Sequence, residues 1–291
     1  MIIKTAKQLK DKVANLAHGD SQKSQILIRK YAMESFLRRV SFSEYKNNFI
    51  LKGGMLVSAL VGEDSRSTMD IDTTVKSIPL TIDSIKTVVS KIISLSNEDP
   101  LQYQIVSIET IMEEHDYSGL RIKLGVSLEN LKDVITIDIS TGDIITPSAV
   151  EFNYNMMFDD ETIEIMTYNV ETLLAEKIET ILSRTILNTR MRDFYDVYIL
   201  TNDNSVEIDD TLVRDALEET SQKRGTSYIF DNYDQVLEDI QNDESLADLW
   251  NRYQTNNDYV GNLSWNKVLE SVIDYIEYEI NMDQSFDITP F

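Results

Sequence analysis

Cysteine is absent from the sequence, so neither a disulfide nor a thiolate site is open to it. No stretch approaches the roughly 18 consecutive apolar residues of a membrane-spanning helix. The opening residues MIIKTAKQLKDK contain no apolar signal region. Together these absences predict a cytoplasmic protein with no membrane partner. Glycine and proline are sparse, at nine and four of 291 residues. Internal repeats and low-complexity segments are absent. At 42% apolar and 26% charged residues the composition is that of ordinary globular material. The length suits two domains or one large one.

Positive charge is also scarce. The formal net charge of −23 argues against broad, nonspecific binding to nucleic acid. The deficit is uneven. Residues 1–50 hold ten Lys/Arg against four Asp/Glu, whereas residues 201–291 hold five against 21. A basic N-terminal region could hold phosphate, and Lys30, Arg38, Arg39 and Lys46 are its candidate contacts. The same asymmetry is also what two solvated faces would give.

Residues 22–41 have helical spacing, with Ile28, Tyr31, Ala32, Ser35, Phe36 and Val40 on one stripe. Phe49 to Leu51 is a short strand, broken by Gly53-Gly54 and followed by a helix to Leu60. The run STMDIDTTV is a strand, and residues 80–98 an amphipathic helix. LQYQIVSIETI, GLRIKLGVSL and DVITIDIST read as three more strands. From about residue 167 the pattern turns helical, and DQSFDITPF reads as a loosely held tail. This order predicts an α/β (α+β) domain over 1–160 and a mostly helical domain over 161–291.

Side chains of a strand alternate faces, so Asp70 and Asp72 point the same way. Two carboxylates that close repel unless a cation lies between them. By itself such a pair is as readily a solvated acidic edge. In VITIDIST, the residues Ile135, Ile137 and Ile139 share one face and Asp138 lies on the other. Three carboxylates on two strands would suit a hard cation such as Mg²⁺. Gly53-Gly54, at a strand-to-helix junction, permits close approach of a phosphate to backbone N–H groups. Lys177 falls within the apolar stripe Val170, Leu173, Leu174, Ile178, Ile181 of a predicted helix. There it must either snorkel or be desolvated beside an anion. The next run, TRMRDFYDVYIL, carries Arg190, Arg192, Asp193 and Asp196 on a further helix, and alone it reads as a local ion-pair network.

FILKGG, then a helix, DID, LLAEKIETIL and RMRDFYD, in that order, resemble the AbiEii family over roughly residues 20–200. Those proteins are nucleotidyltransferase-like toxins of type IV toxin–antitoxin systems, first known from abortive phage infection. The resemblance implies a DNA-polymerase-β-like nucleotidyltransferase fold with a mixed sheet and a helical C-terminal lobe. It implies nucleotide binding at Lys52, Gly53, Gly54 and Lys177, and a metal motif on Asp70 and Asp72. Asp138 is similar to the third metal carboxylate of the wider superfamily, Lys177 to the family's conserved lysine and Asp193 to its late aspartate. The resemblance implies catalytic roles for Asp70, Asp72, Lys177 and Asp193, with Lys177 neutralising triphosphate charge and Asp193 orienting Lys177 or acting as a base. The superfamily pattern has Gly-Ser at its first motif. Here Met55 follows the glycines, so that hydroxyl is missing and backbone N–H groups must serve.

The resemblance implies Mg²⁺ and an NTP, with GTP or CTP as candidates. An NMP would pass to an acceptor, the tRNA 3′ end by likeness to related toxins. A cognate antitoxin is implied, expected to be a winged-helix regulator because this chain shows no DNA-reading helix-turn-helix. Two alternatives remain open at this point. One is transfer of NMP or phosphoryl to a protein side chain. The other is an acidic interaction protein that binds nucleotide without turnover.

Overall fold

The computed structural model describes residues 3–62, 64–96, 99–112, 118–159 and 162–281. The expected tail DQSFDITPF lies outside the described residues. Two compact units divide the chain. One comprises Met1–Ala59, Ser67–Asp143 and Ala149–Tyr168, and the other Leu60–Arg66, Ile144–Ser148 and Asn169–Phe291.

The first unit is built on one mixed sheet. Its strands are β1 (Phe49–Lys52), β2 (Asp70–Val75), β3 (Gln102–Met112), β4 (Ser118–Leu128), β5 (Leu131–Thr141), β6 (Val150–Asn155) and β7 (Thr162–Thr167). They lie in the order β3-β4-β5-β2-β1-β7-β6. β2 runs parallel to β5 and β1 parallel to β7, and the other pairs are antiparallel. The α/β reading of the sequence therefore holds. The helices of this part are α1 (Ala6–Ala17), α2 (Ser21–Phe42), α3 (Gly53–Val61) and α4 (Ile82–Ser94). Thr5 and Gln8 form a capping box on α1, Asp20 caps α2 and Thr81 caps α4, each satisfying N–H groups that the helix start leaves open.

Strict alternation sorts the sheet into two faces. Ile71, Leu120, Ile122, Leu124, Ile135, Ile137 and Ile139 are all buried, while Asp70, Asp72, Arg121, Lys123, Thr136 and Asp138 alternate with them on the other face. α2 and α4 contact the sheet and contribute Leu37, Val40, Ile85, Val89 and Ile92 to the core.

The second half of α2 departs from the single stripe expected of it. Every residue from Tyr31 to Val40 is buried, including Glu34, Arg38 and Arg39. Arg39 donates to Asp99 at 3.1 Å and to the carbonyl oxygens of Ile93 and Leu101, and its guanidinium lies over the Tyr103 ring. Arg38 pairs with Asp159, Lys30 with Glu34 and Lys46 with Glu164. Arg38 and Arg39 are thus committed to buried ion pairs and do not form a docking face for RNA, whereas Lys4, Lys7, Lys10 and Lys23 of the same region are exposed. Composition could not distinguish an exposed arginine from one buried with its own carboxylate.

A second difference lies in NYNMMFDDETIEIMTYN, which reads in the sequence as a link between two styles. It contains the end of β6 and all of β7. Ile163 and Ile165 alternate into the core along TIEIMT, but six residues beside a polar run give a weak signal.

The second unit is helical: α5 (Val170–Arg184), α6 (Met191–Asn202), α7 (Asp210–Arg224), α8 (Ile229–Asn242), α9 (Glu244–Asn256) and α10 (Trp265–Asn281). α5 packs on α6, α7 and α8, and α10 on α6, α7, α8 and α9. Among the described residues no helix is long and apolar enough to cross a membrane.

Glu279 on α10 is fully buried, and among the described residues neither of its oxygens meets a hydrogen-bond partner. Burial first, and then the charge of Asp210, pushes its carboxyl up from 4.5 to about 7. The folded unit therefore holds a proton that the unfolded chain has lost. This group's contribution to stability is fully present below about 4.5 and is lost as pH rises toward 7, by about 2–3 kcal/mol. Glu279→Gln should remove that slope. Urea unfolding at the two ends of the window measures it, and equal losses in both proteins would refute the assignment.

Candidate functional site

The site grows from one cross-strand row. Lys52 on β1 is the register partner of Asp72 on β2, Asp72 of Asp138 on β5, and Asp138 of Arg121 on β4. Register partners share a face, so charges of order plus, minus, minus, plus cross the polar side of the sheet. Asp70, two residues before Asp72, joins the same face, opposite Thr136.

β1 ends at Lys52 because Gly53 takes φ +67°, a conformation that favours glycine. A Cβ at Gly53 would lie 2.3 Å from Asp72 Oδ2. Only a residue without a side chain lets the turn approach that carboxylate so closely. The first turn of α3 starts here, with N–H groups that have no partner within the helix. An anion-binding backbone and a carboxylate thus meet at one point.

The flanking charges are held. Lys52 Nζ donates to Asp143 at 2.7 Å, and Ser140 and Tyr168 hydroxyls donate to the same oxygen at 2.7 and 2.9 Å. Burial pushes the Asp143 carboxyl up, but Lys52 and the two hydroxyls outweigh it and hold it below the usual range. Arg121 grips Asp138 with two bonds, Nε to Oδ1 at 2.8 Å and a terminal nitrogen to Oδ2 at 2.7 Å. The Arg121 guanidinium is raised, mainly by Asp138 and further by Asp70 and Asp72.

Asp70 and Asp72 offer oxygen donors of the kind that Mg²⁺ takes from one or two carboxylates, with substrate phosphates completing its shell. These two residues fit such an ion. The expected third ligand, Asp138, shares their face but spends both oxygens on Arg121. Among the described residues no three His, Cys, Asp or Glu come together in metal-holding geometry. The polar face of each aspartate was foreseeable from alternation; the arginine one strand further on was not.

In the second unit, Lys177 on α5 is desolvated beside anions rather than snorkelling, with its side chain 10% exposed. Its ammonium lies 2.6 Å from Asp196 and 3.4 Å from Asp193. Burial pushes it down, but Asp196 and then Asp193 hold its pKa above the ordinary lysine value. Arg66 also binds Asp196, Nε to Oδ1 at 2.6 Å, and donates to the Tyr259 hydroxyl at 3.3 Å. The sequence reading paired Lys177 with Asp193, whereas its closer partner is Asp196. Both aspartates share a face of α6 at a spacing of three, a signal that could have identified the pair. Nothing in the sequence singled out Arg66. Asp193 Oδ2 is buried without a hydrogen-bond partner among the described residues.

The sequence matches the family described as "Nucleotidyl transferase AbiEii toxin, Type IV TA system" over residues 35–271. No curated relative matches the chain in sequence. Among solved structures it is similar to a nucleotidyltransferase-like protein of H. pylori, at 12% identity and a TM-score of 0.49, over 91% of this chain and 99% of that one. It is similar to JHP933 from Helicobacter pylori at 13% identity and 0.49, over 90% and 95%. An antigenic nucleotidyltransferase-like protein from Paracoccidioides brasiliensis gives 14% and 0.35, over 80% and 93%. These likenesses are distant, and the family match carries the assignment.

Proposed function

Because the chain belongs to the AbiEii family of nucleotidyltransferase toxins of type IV toxin–antitoxin systems, we propose that it transfers the NMP moiety of an NTP to the 3′ end of tRNA, using the polar sheet face around Gly53, Asp70 and Asp72. The observation that supports this most is the approach of the Gly53 backbone to the Asp72 carboxylate. It joins a phosphate cradle to a pair of carboxylates. In this reading Gly53, Gly54 and the first N–H groups of α3 hold the triphosphate. Lys52, anchored by Asp143, adds positive charge beside the turn. Asp70 and Asp72 hold the divalent ion. When bound, that ion, Mg²⁺ in this proposal, neutralises charge on the phosphates and orients them. The acceptor hydroxyl oxygen bonds to the α-phosphorus while the bond from that phosphorus to its bridging oxygen breaks. Pyrophosphate leaves with the electron pair, and the hydroxyl proton passes to a carboxylate of the site.

Lys177 and Asp193 enter the reading by their chemistry: a buried ammonium between carboxylates, one of which has a spare oxygen. The acidic C-terminal half repels nucleic acid, and Arg38 and Arg39 of α2 are buried, so these two do not meet the tRNA backbone. A cognate antitoxin is part of a type IV system, and we take it to be a winged-helix regulator.

The test is incubation with each of the four NTPs, labelled at the α-phosphate, together with total RNA and total protein. Label on tRNA, sensitive to removal of its 3′ end, is the expected result, with GTP or CTP as the preferred donor. Label on protein instead would move the acceptor to a side chain. No label on either, with Mg²⁺ present, would overturn the proposal.

A further inference from the structure

We propose that Arg121 is an exchangeable counterion, which pairs with Asp138 and turns to phosphate when a triphosphate binds, freeing Asp138 for the cation and the acceptor. The inference rests on reading this sheet face as the nucleotide site, and adds a positioning residue to it. Three observations carry it. Arg121 meets both oxygens of Asp138 at hydrogen-bond distance, so the two groups satisfy each other and Asp138 has no oxygen left for undivided coordination. Asp138 is nevertheless the register partner of Asp72, and its side chain is only 15% exposed. It lies next to the carboxylates and inside the same face. Arg121, by contrast, is 42% exposed. Its planar fork fits a phosphate as well as a carboxylate, and its long stem can swing without disturbing the strand.

The alternative is a fixed pair, in which Arg121 permanently neutralises Asp138. The two readings differ in what competes with what. In an exchange, Asp138 and phosphate compete for Arg121, and Arg121 and the cation compete for Asp138. Linkage makes each competition measurable from either side. Removing Asp138 should then strengthen phosphate binding, but only where Arg121 is present. Removing Arg121 should strengthen cation binding, but only where Asp138 is present. A general change of local charge would act equally in both backgrounds.

The experiment is a double-mutant cycle on the full chain with Arg121→Gln, Asp138→Asn and the double variant. Calorimetry measures tripolyphosphate binding without metal and Mn²⁺ binding without phosphate. Asp138→Asn should bind tripolyphosphate about tenfold more tightly than wild type, the size of one charge-assisted contact. The gain should vanish when Arg121 is also replaced. Arg121→Gln should bind Mn²⁺ more tightly by a similar factor, and that gain should vanish in the double variant. Arg121→Lys, which keeps charge but loses the fork, should fall between, and it serves if the glutamine variant is misfolded by melting. Additive effects, or variants that bind like wild type, would overturn the exchange. Asp72→Asn separates the two claims. If it abolishes Mn²⁺ binding while the cycle is additive, the site stands and only the exchange fails. If it leaves Mn²⁺ binding intact, the site reading fails and the inference falls with it.

Discussion

Asp72→Asn should abolish nucleotidyl transfer and growth arrest while leaving the fold in place. Asparagine matches aspartate in shape, so the close approach between residue 72 and the Gly53 backbone can persist. What it loses is the charge that a hard cation requires. Charge stabilisation by a bound metal contributes several kcal/mol to a transition state, and about 1.4 kcal/mol is a tenfold rate. A loss of at least about 10²–10³-fold in transfer follows. Asp70→Asn should act in the same direction, since both side chains leave β2 on one face. The melting temperature should stay within a few degrees, because removing one of two like charges relieves repulsion in the metal-free protein. Labelled-nucleotide transfer and expression in a host without antitoxin read the effect. A variant that still transfers and still arrests growth at wild-type protein level would overturn the central claim.

The parts of this site that depend on alternation were legible in the sequence. Strand side chains have a period of two, so VITIDIST had to place Asp138 opposite its isoleucines, and DID had to place its aspartates together. The structure adds only that the two strands are neighbours and in register. The glycine turn was legible for a similar reason: a strand, two glycines and a helix leave few geometries. Pairing between distant strands was not legible. Arg121 belongs to GLRIKLGVSL, where alternation sends it to the polar face without naming its partner, and its grip on Asp138 follows from a β4–β5 register that no local pattern encodes. Asp143 lies beyond β5 with no local cue to the lysine and hydroxyls that meet on it.

The α2 arginines illustrate the converse limit. Charge counting treats each arginine as a surface feature. Arg38 and Arg39 are instead buried in the second half of α2, where every residue from Tyr31 to Val40 is buried, each with a carboxylate from far along the chain. A buried ion pair is electrically invisible outside, so the basic balance of residues 1–50 overstates the field that the protein presents. The helical stripe around Lys177 had the opposite outcome. There, a charge inside an apolar pattern left two outcomes open, water or an anion, for a lysine flanked by Val170, Leu174 and Ile181, and the structure shows the anion.

That pairing sets the largest stability effect expected in the molecule. Lys177→Met keeps the aliphatic stem and removes the ammonium. A snorkelling lysine would tolerate the change, since the methionine packs in the same stripe. This lysine is 10% exposed and lies 2.6 Å from Asp196, which is fully buried. Lys177 and Arg66 both bind Asp196, and Lys177 also meets Asp193. Removing Lys177 leaves Asp193 with the field of Arg184 and Asp196 with Arg66. Breaking a buried pair from one side destabilises by about 3–5 kcal/mol, because a desolvated charge is left behind. At roughly 2–4 °C per kcal/mol, melting should fall by on the order of 10 °C. Adding Asp193→Asn to Lys177→Met should recover part of the loss, since it removes a charge that Lys177 had met. Asp193→Asn alone should cost far less than Asp196→Asn: its contact with Lys177 is 3.4 Å, one of its oxygens has no hydrogen-bond partner among the described residues, and Asp196 anchors Lys177 and Arg66 together. An unchanged melting temperature for Lys177→Met would return the residue to the surface. The asymmetry also assigns a role. If Asp193→Asn keeps wild-type stability but loses transfer, its spare oxygen serves the reaction; if transfer survives as well, Asp193 only shares in holding Lys177, and the family's late aspartate is structural here.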